Sequence, residues 1–303
     1  MQLLYLLEKI RIPGLNECML LITRLGEETA FLAIALVVFW CMDKRRGYFL
    51  MAVGFAGTIL NQFLKLVFRV PRPWVLDPDF SILEAAREAA TGYSFPSGHT
   101  QIAVGTFGAL AVTEENRRNR ILFVTLAALV GFSRMYIGVH TPYDVLASAA
   151  IALALVYGLR RRILFGGTTE MAVIITILLA MALGLMAFVE QWEFPSDVDP
   201  ENLESGMKNA YSMLGCLAGV AVVYPLERKY VDFDTRACWW AQMLKVELGL
   251  AAVLAVKEGL RKPLEVVLGA CNGRALRYML IVVTAGLLWP MTFRWFSKLG
   301  GKK

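Results

Sequence analysis

The chain contains only two histidines, His99 and His140, and each stands among residues that could do chemistry. His99 closes the run Pro96-Ser97-Gly98-His99. Ser97 is suited to cap a helix that begins there. The free N–H groups of such a helix start, with Gly98 allowing close approach, can also hold an anion. A histidine at this place can donate a proton to a leaving oxygen, so the run is compatible with a plain helix cap and with a reactive anion site.

His140 precedes Asp144 by four residues. The segment 141–144 predicts a helix start, with Thr141 as N-cap, Pro142 at the first helical position and Asp144 in the capping-box position. Alternatively, Asp144 accepts the ring N–H of His140, which would fix the tautomer and make the other ring nitrogen a better nucleophile. The sequence leaves both interpretations of Asp144 open.

Three cations could complete a site for a phosphoryl group. Lys65 lies within an apolar stretch, where an ionisable residue indicates a function. Arg72 and Arg134 could each bind a phosphate through two N–H groups. If the apolar helices alternate in direction, these cations and both histidines emerge on one face, with His140 as nucleophile and His99 as acid. No cluster of residues with metal-ligand spacing occurs in the sequence, so we expect no metal and no other cofactor.

The elements that must position these residues are transmembrane helices. Of the 303 residues, 57% are hydrophobic and 18% are charged, against roughly 25% charged in an ordinary soluble domain. The composition predicts an all-α, polytopic transmembrane bundle of about eight to nine spans, with the reactive core in the N-terminal half. Residues 1–25 are predicted as an interfacial helix, with a further span as the alternative. The predicted spans are Thr29–Met42, Gly47–Phe68, Thr100–Thr113, Ile121–Ser133, Val145–Leu159, Met171–Val189, Ala210–Leu226, Leu244–Val256 and Tyr278–Phe296.

Loop charges predict the orientation. The basic loops 43–46, 114–120 and 160–162 fall on one side, which the positive-inside rule makes cytoplasmic, and the acidic loop 191–205 falls on the other. Both histidines then face outward, although the basic segment Lys257–Arg277 disagrees with this scheme. The net charge of +6 is explained by these loops, so no nucleic-acid partner is expected. Short loops and an uncleaved first helix favour the bacterial cytoplasmic membrane.

The spacing of the reactive residues resembles that of a known family. The pattern K-x6-R-P, then P-S-G-H, then S-R-x5-H-x3-D is similar to that of the type-2 phosphatidic acid phosphatase superfamily of membrane lipid phosphatases. The three motifs occur at Lys65, Arg72 and Pro73, at Pro96 to His99, and at Ser133, Arg134, His140 and Asp144. The resemblance covers about residues 29–160, and these motif positions show no departure from the pattern.

The resemblance implies a mechanism without a metal. His140 would attack phosphorus and form a phosphohistidine, Asp144 would hold His140, and His99 would protonate the leaving lipid oxygen before water hydrolyses the intermediate. The phosphoryl oxygens would be bound by Lys65, Arg72, Ser97, Gly98 and Arg134.

The substrate would be a lipid phosphate monoester or diphosphate, such as phosphatidate or undecaprenyl diphosphate, taken from among the membrane lipids. Transfer from the same histidine to another acceptor is the alternative, and an anion or lipid transporter is less favoured. We expect residues 1–165 to form the phosphatase core and 166–303 to add transmembrane helices of unknown role, in substrate selection, homo-oligomer formation or packing. Between motifs, Asp79–Tyr93 is predicted to be a short helix, which either shapes lipid access or covers the outer surface as an interfacial helix.

Overall fold

A computed structural model describes residues 1–87, 90–196 and 198–299, and all regular elements in those ranges are helical. The α-helices are α1 (Gln2–Lys9), α2 (Pro13–Thr23), α3 (Glu28–Val37), α4 (Lys44–Phe68), α5 (Pro73–Leu76), α6 (Gly98–Thr113), α7 (Arg117–Tyr136), α8 (Pro142–Phe165), α9 (Thr168–Gln191), α10 (Pro200–Leu226), α11 (Trp239–Gly259), α12 (Arg261–Val283) and α13 (Phe293–Phe296). Short 3-10 or π turns join or extend several of them, at Arg24–Gly26, Val38–Met42, Glu84–Ala86, Glu227–Val231, Thr284–Leu288 and Pro290–Thr292.

Six helical segments in the described ranges are long and apolar enough to cross a membrane, which makes the chain an integral membrane protein. They are Lys44–Leu76, Pro142–Phe165, Thr168–Gln191, Pro200–Val231, Trp239–Gly259 and Arg261–Phe296. A seventh span results if Pro13–Gly26 and Glu28–Met42, which meet at a bend of 56°, count as one broken span.

The predicted count of eight to nine spans is therefore not confirmed. The difference lies partly in α6 and α7, which correspond to two of the predicted spans. Helix α6 has 16 residues, fewer than the about 20 that cross a hydrocarbon core. Helix α7 has 20 residues, but three of its first four are the arginines Arg117, Arg118 and Arg120.

One compact unit comprises Met1–Leu32, Phe49–Arg161 and Glu193–Gly206. Within it α6 and α7 pack side by side, α2 packs against α7, and the turn Arg24–Gly26 lies against α6. This last approach needs a glycine, because a Cβ atom on Gly26 would lie 2.8 Å from the carbonyl oxygen of His99. The N-terminal segment thus packs directly against the first turn of α6.

The second compact unit comprises Ala33–Tyr48, Arg162–Trp192 and Met207–Lys303. Its interior is built around aromatic side chains. Trp40 is fully buried and donates its indole N–H to the carbonyl of Ala285 at 2.8 Å. Phe293 packs edge to face against Trp40 and Trp289. These contacts hold the C-terminal turns of this unit against the turn Val38–Met42, which extends α3.

The prediction of a helix over Asp79–Tyr93 is wrong for the described residues of that segment, since Glu88 and Ala89 lie outside them. Only the 3-10 turn Glu84–Ala86 is helical there. The segment instead packs against the turn that follows α7. Ala86 and Ala90 are buried against Ile137 and Val139, and the N–H of Leu83 donates to the Ile137 carbonyl at 3.1 Å. Tertiary packing on that turn replaces the helix hydrogen bonds.

Candidate active site

Four segments of the first unit bring the reactive residues together. Helix α4 carries Lys65 in its last turn, and Arg72 is the N-cap of α5, where Pro73 takes the first helical position. Residues 91–99 run into α6, and the turn 137–141 joins α7 to α8. Gly138 adopts φ +90 in that turn, a left-handed conformation that favours glycine. This turn aims His140 back toward Arg72.

Arg72 contacts the nucleophile candidate directly. Its guanidinium donates to the carbonyls of Gly92, Thr91 and Val139 at 2.9, 2.7 and 3.0 Å, and its Nη1 lies 2.9 Å from Nε2 of His140. A guanidinium has no acceptor atom, so Nε2 must accept this hydrogen bond through its lone pair. The ring proton of neutral His140 therefore resides on Nδ1, and Nε2 is the ring nitrogen that carries the lone pair.

The other side of the His140 ring faces Asp144 and Ser94. Nδ1 lies 3.6 Å from Oδ2 of Asp144 and 3.5 Å from Oγ of Ser94. The first distance exceeds that of a normal hydrogen bond, and Ser94 lies between the two side chains and bridges them. Ser94 donates to Oδ2 of Asp144 at 2.6 Å, and both side chains are buried.

Asp144 also caps α8, as the other interpretation of the sequence required. Its Oδ2 accepts from the N–H of Thr141 at 2.7 Å, and its own N–H donates to Oγ1 of Thr141 at 3.4 Å. This reciprocal pair is a capping box. The two interpretations are compatible, because one carboxylate oxygen serves the helix start and faces the histidine.

The other two cations are also buried beside the site. Lys65 is 8% exposed and its Nζ donates to the carbonyl of Tyr93. Arg134 is 2% exposed and its Nη1 donates to Oγ1 of Thr23 at 2.7 Å. The Nε atom of Arg134 is buried and has no hydrogen-bond partner among the described residues. A buried N–H of this kind favours an incoming acceptor, because leaving it unpaired is costly.

The run Pro96–His99 opens α6 as predicted. Oγ of Ser97 accepts from the N–H of Thr100 at 3.4 Å and from its hydroxyl at 2.9 Å, which makes Ser97 the N-cap. Gly98 follows at the helix start, where N–H groups lack intrahelical partners. His99 is partly exposed, and its ring has no hydrogen-bond partner in the described part of the chain. The cap and the anion-site geometry therefore coexist.

The electrostatics of the site keep His140 neutral. Burial, followed by the positive charges of Arg72, Arg134 and Lys65, lowers the pKa of His140 well below the ordinary value of a histidine. His99 adds a smaller effect in the same direction. The five groups are thus close enough to influence one another, and a neutral imidazole is the form that can attack phosphorus.

Three residues of the site were missed by the sequence analysis: Ser94, Thr23 and Asn61. Asn61 is buried, and its side-chain N–H donates to the carbonyl of Pro96 at 3.2 Å. It precedes Lys65 by four residues in an apolar helix, a spacing that shares a helix face and could have drawn attention. Ser94 and Thr23 bind partners distant in the chain, and no local pattern marks them.

The donor set suits an anion. Among the described residues, no group of three or more His, Cys, Asp or Glu side chains lies close enough to hold a metal ion. The site contains three cations and two imidazoles around one carboxylate, so its field attracts a phosphate.

Two family models match the chain. The model of the PAP2 superfamily matches residues 45–163. The model described as "PAP2 superfamily phosphatase, transmembrane extension" matches residues 211–302. No solved structure matches the chain.

Curated relatives resemble about half of the chain. Undecaprenyl-diphosphatase BcrC of Bacillus subtilis (strain 168) is 34% identical over 145 residues, 46% of this chain and 70% of the relative. Phosphatidylglycerophosphatase B of the same organism is 30% identical over 163 residues, which are 49% of this chain and 75% of the relative. An undecaprenyl-diphosphatase of Sulfolobus acidocaldarius is 30% identical over 147 residues, which are 48% of this chain and 69% of the relative. The resemblance expected from the three motifs is confirmed: this chain belongs to the PAP2 superfamily and carries the transmembrane extension found in phosphatases of that superfamily.

Proposed function

We propose that the protein hydrolyses lipid phosphate monoesters or diphosphates through a phosphohistidine on His140. The observation that carries the proposal is the 2.9 Å approach of Arg72 Nη1 to His140 Nε2. It identifies Nε2 as the unprotonated ring nitrogen, whose lone pair becomes reactive once a phosphoryl group takes over the hydrogen bond from Arg72. It also puts a fixed positive charge where that group must sit. Family membership supports the same chemistry.

In the first step, Nε2 of His140 attacks phosphorus, and an N–P bond forms as the bond from phosphorus to the lipid oxygen, or to the bridging oxygen of a diphosphate, breaks. His99 gives its proton to that leaving oxygen. Lys65, Arg72 and Arg134 neutralise the charge on the transferring group, together with Ser97 and the backbone N–H of Gly98. The carbonyls that hold Lys65 and Arg72 orient these cations before substrate arrives, which lowers the cost of reorganisation.

In the second step, water attacks the phosphohistidine and transfers a proton to His99. The N–P bond breaks, its electrons return to Nε2, and inorganic phosphate leaves. The negative charge of Asp144 stabilises the His140 ring whenever it carries positive charge, with Ser94 holding the carboxylate in place. No metal ion takes part in either step.

The lipid tail is the natural anchor of the substrate, since the site belongs to a membrane-embedded helical unit. Two of the relatives above are undecaprenyl-diphosphatases and one is a phosphatidylglycerophosphatase. We therefore propose a polyprenyl diphosphate or a glycerolipid phosphate as the substrate. We propose that residues 1–165 supply the catalytic core. The positive-inside pattern of loops 43–46, 114–120 and 160–162 supports a site on the outer face of a bacterial cytoplasmic membrane.

The test is phosphate release by the purified full-length protein in detergent, with EDTA present throughout. The panel contains undecaprenyl diphosphate, phosphatidylglycerol phosphate, phosphatidate and a sphingoid-base phosphate, and the His140→Ala protein serves as control. We expect release by the unmodified protein only. Absence of release from every lipid, or equal release by His140→Ala, would refute the proposal. Phosphorylated acceptor in place of free phosphate would instead identify a phosphotransferase.

A further inference from the structure

A second charged cavity lies wholly within the other compact unit. It has a volume of about 170 Å³ and is walled by the start of α4, the junction of α8 with α9, and the end of α10. That volume corresponds to between five and six water molecules at ~30 Å³ each. A phosphate group, with five heavy atoms, is of matching size. The cavity takes no part in the proposed hydrolysis.

Both acidic side chains in the wall are paired with one lysine. Glu227 is 1% exposed, and the ammonium of Lys44 lies 3.0 Å from its carboxylate. The same ammonium lies 2.8 Å from Asp232, which is exposed. One lysine between two carboxylates leaves a single negative charge, so the two arginines of the wall, Arg45 and Arg228, make the cavity positive in total.

Hydrogen bonds fix the position of both arginines, and each guanidinium has further N–H groups that these bonds do not use. Arg45 donates through Nη1 to the carbonyls of Leu164 and Gly166 at 3.0 and 3.2 Å. Arg228 donates through Nη1 to the hydroxyl of Tyr224 at 2.9 Å. Within the described ranges these are the hydrogen bonds of the two guanidiniums, so their remaining N–H groups can bind a ligand with several oxygens.

Tyr48 supplies an independent indication of a ligand. Its side chain lines the cavity and is 8% exposed. Its hydroxyl is buried and finds no hydrogen-bond partner in the part of the chain that the structure describes. The ring is fixed edge to face against Tyr224, with centroids 5.4 Å apart, so the hydroxyl cannot easily turn elsewhere. A buried unpaired hydroxyl is costly, and a ligand oxygen would satisfy it.

We propose that this cavity binds a phosphate group, through Arg45, Arg228 and Tyr48. Two guanidiniums and a hydroxyl provide donors on different sides of the group, and the paired Lys44 and Glu227 form a fixed wall. The positive-inside pattern assigns loop 43–46 to the cytoplasmic side, where anionic headgroups of the inner leaflet are available. The phosphate belongs either to a phospholipid headgroup or to free inorganic phosphate.

The experiment measures binding, so its result does not depend on the proposed hydrolysis. Full-length His140→Ala protein in detergent is mixed with phosphatidylglycerol, a phosphodiester, and the bound lipid is counted by native mass spectrometry. Diacylglycerol, which has the same tails without the phosphate, is the matched lipid. The variants are Arg45→Gln with Arg228→Gln, and Tyr48→Phe alone. Arg46→Gln removes a neighbouring charge that does not line the cavity.

We expect phosphatidylglycerol, and not diacylglycerol, to bind, and the double variant to weaken this binding about tenfold or more. Tyr48→Phe, which keeps the ring, should weaken the binding of phosphatidylglycerol about threefold or more. This variant provides the test if the double variant fails to fold. Displacement of the lipid by inorganic phosphate would identify a site open to free phosphate; resistance to it would identify a headgroup site. Equal weakening by Arg46→Gln, or unchanged binding in all variants, would overturn the proposal.

Discussion

The Nη1 atom of Arg72 lies 2.9 Å from Nε2 of His140, and the same atom donates to the carbonyl of Val139, the residue before that histidine. One guanidinium thus holds the backbone next to His140 in place and also determines the tautomer of the His140 ring. A cation commonly assigned to phosphate binding alone has a second effect here, because it determines which nitrogen carries the lone pair. Replacing Arg72 would therefore disturb the proposed nucleophile as well as the proposed phosphate site.

The first prediction concerns the protonation of His140. Its pKa is lowered by burial and by the cations Arg72, Arg134 and Lys65. The unfolded chain has the ordinary value of about 6.5, so below that pH the unfolded state binds more protons than the folded state. This contribution to stability is present above about pH 6.5 and is lost as the pH falls further.

Because the chain has only two histidines, a His99→Gln protein labelled with 15N-histidine reports on His140 alone. We expect a neutral ring with the proton on Nδ1 in NMR spectra from pH 7.5 down to pH 5.5. A titration midpoint near the ordinary value, or the proton on Nε2, would contradict the geometry at Arg72.

The second prediction separates the two duties of Asp144. Asp144→Asn keeps an oxygen for the cap of α8 but loses the charge beside His140, so we expect kcat to fall by about 10³-fold or more, as in other histidine–carboxylate pairs. Glu170 caps α9 in the same manner, accepting from the N–H of Gly167 at 2.8 Å, and Glu170→Gln is the matched control. Circular dichroism melting and steady-state rates are measured for both. If Asp144→Asn, like the control, changes only the melting temperature, its role is confined to the cap.

The third prediction concerns Ser94, which we expect to position the Asp144 carboxylate. Ser94→Ala should lower kcat about tenfold while KM stays within twofold, as is usual for partners that orient a reactive group. Ser148 is an equally buried serine that donates to the backbone carbonyl of Asp144 at 2.7 Å. Ser148→Ala should cost about 1 kcal/mol of stability, like Ser94→Ala, with normal kcat. Equal rates in the two variants would show that Ser94 has only a packing role.

The fourth prediction tests the N-terminal segment. Thr23 holds Arg134 through a 2.7 Å bond, so Thr23→Val leaves a further buried N–H of that arginine unpaired. We expect a loss of about 1.5–3 kcal/mol in the free energy of unfolding and a several-fold increase in KM, because Arg134 loses its orientation. Thr29 is exposed and bonds to the neighbouring Glu27, so Thr29→Val is the matched control. An unchanged KM in Thr23→Val would remove the N-terminal segment from the site.

Much of the site could be predicted because its motifs are local. A helix cap at Ser97, a helix start at Thr141 and the spacing from Lys65 to Arg72 depend on residues within a few positions of one another. The segment Asp79–Tyr93 could not be predicted, since its alanine-rich pattern favours a helix in isolation. Burial of Ala86 and Ala90 against Ile137 and Val139 overrides that local preference.

The sequence by itself determined the kind of molecule, the family and the set of residues available for catalysis, because hydropathy and motif spacing are properties of short stretches. Only the tertiary structure decided how those residues are held. Arg72 meets His140 across 68 positions, Ser94 meets Asp144 across 50, and Thr23 meets Arg134 across 111. Contacts at such separations depend on how whole helices pack, and packing joins surfaces that carry no signal in the local sequence.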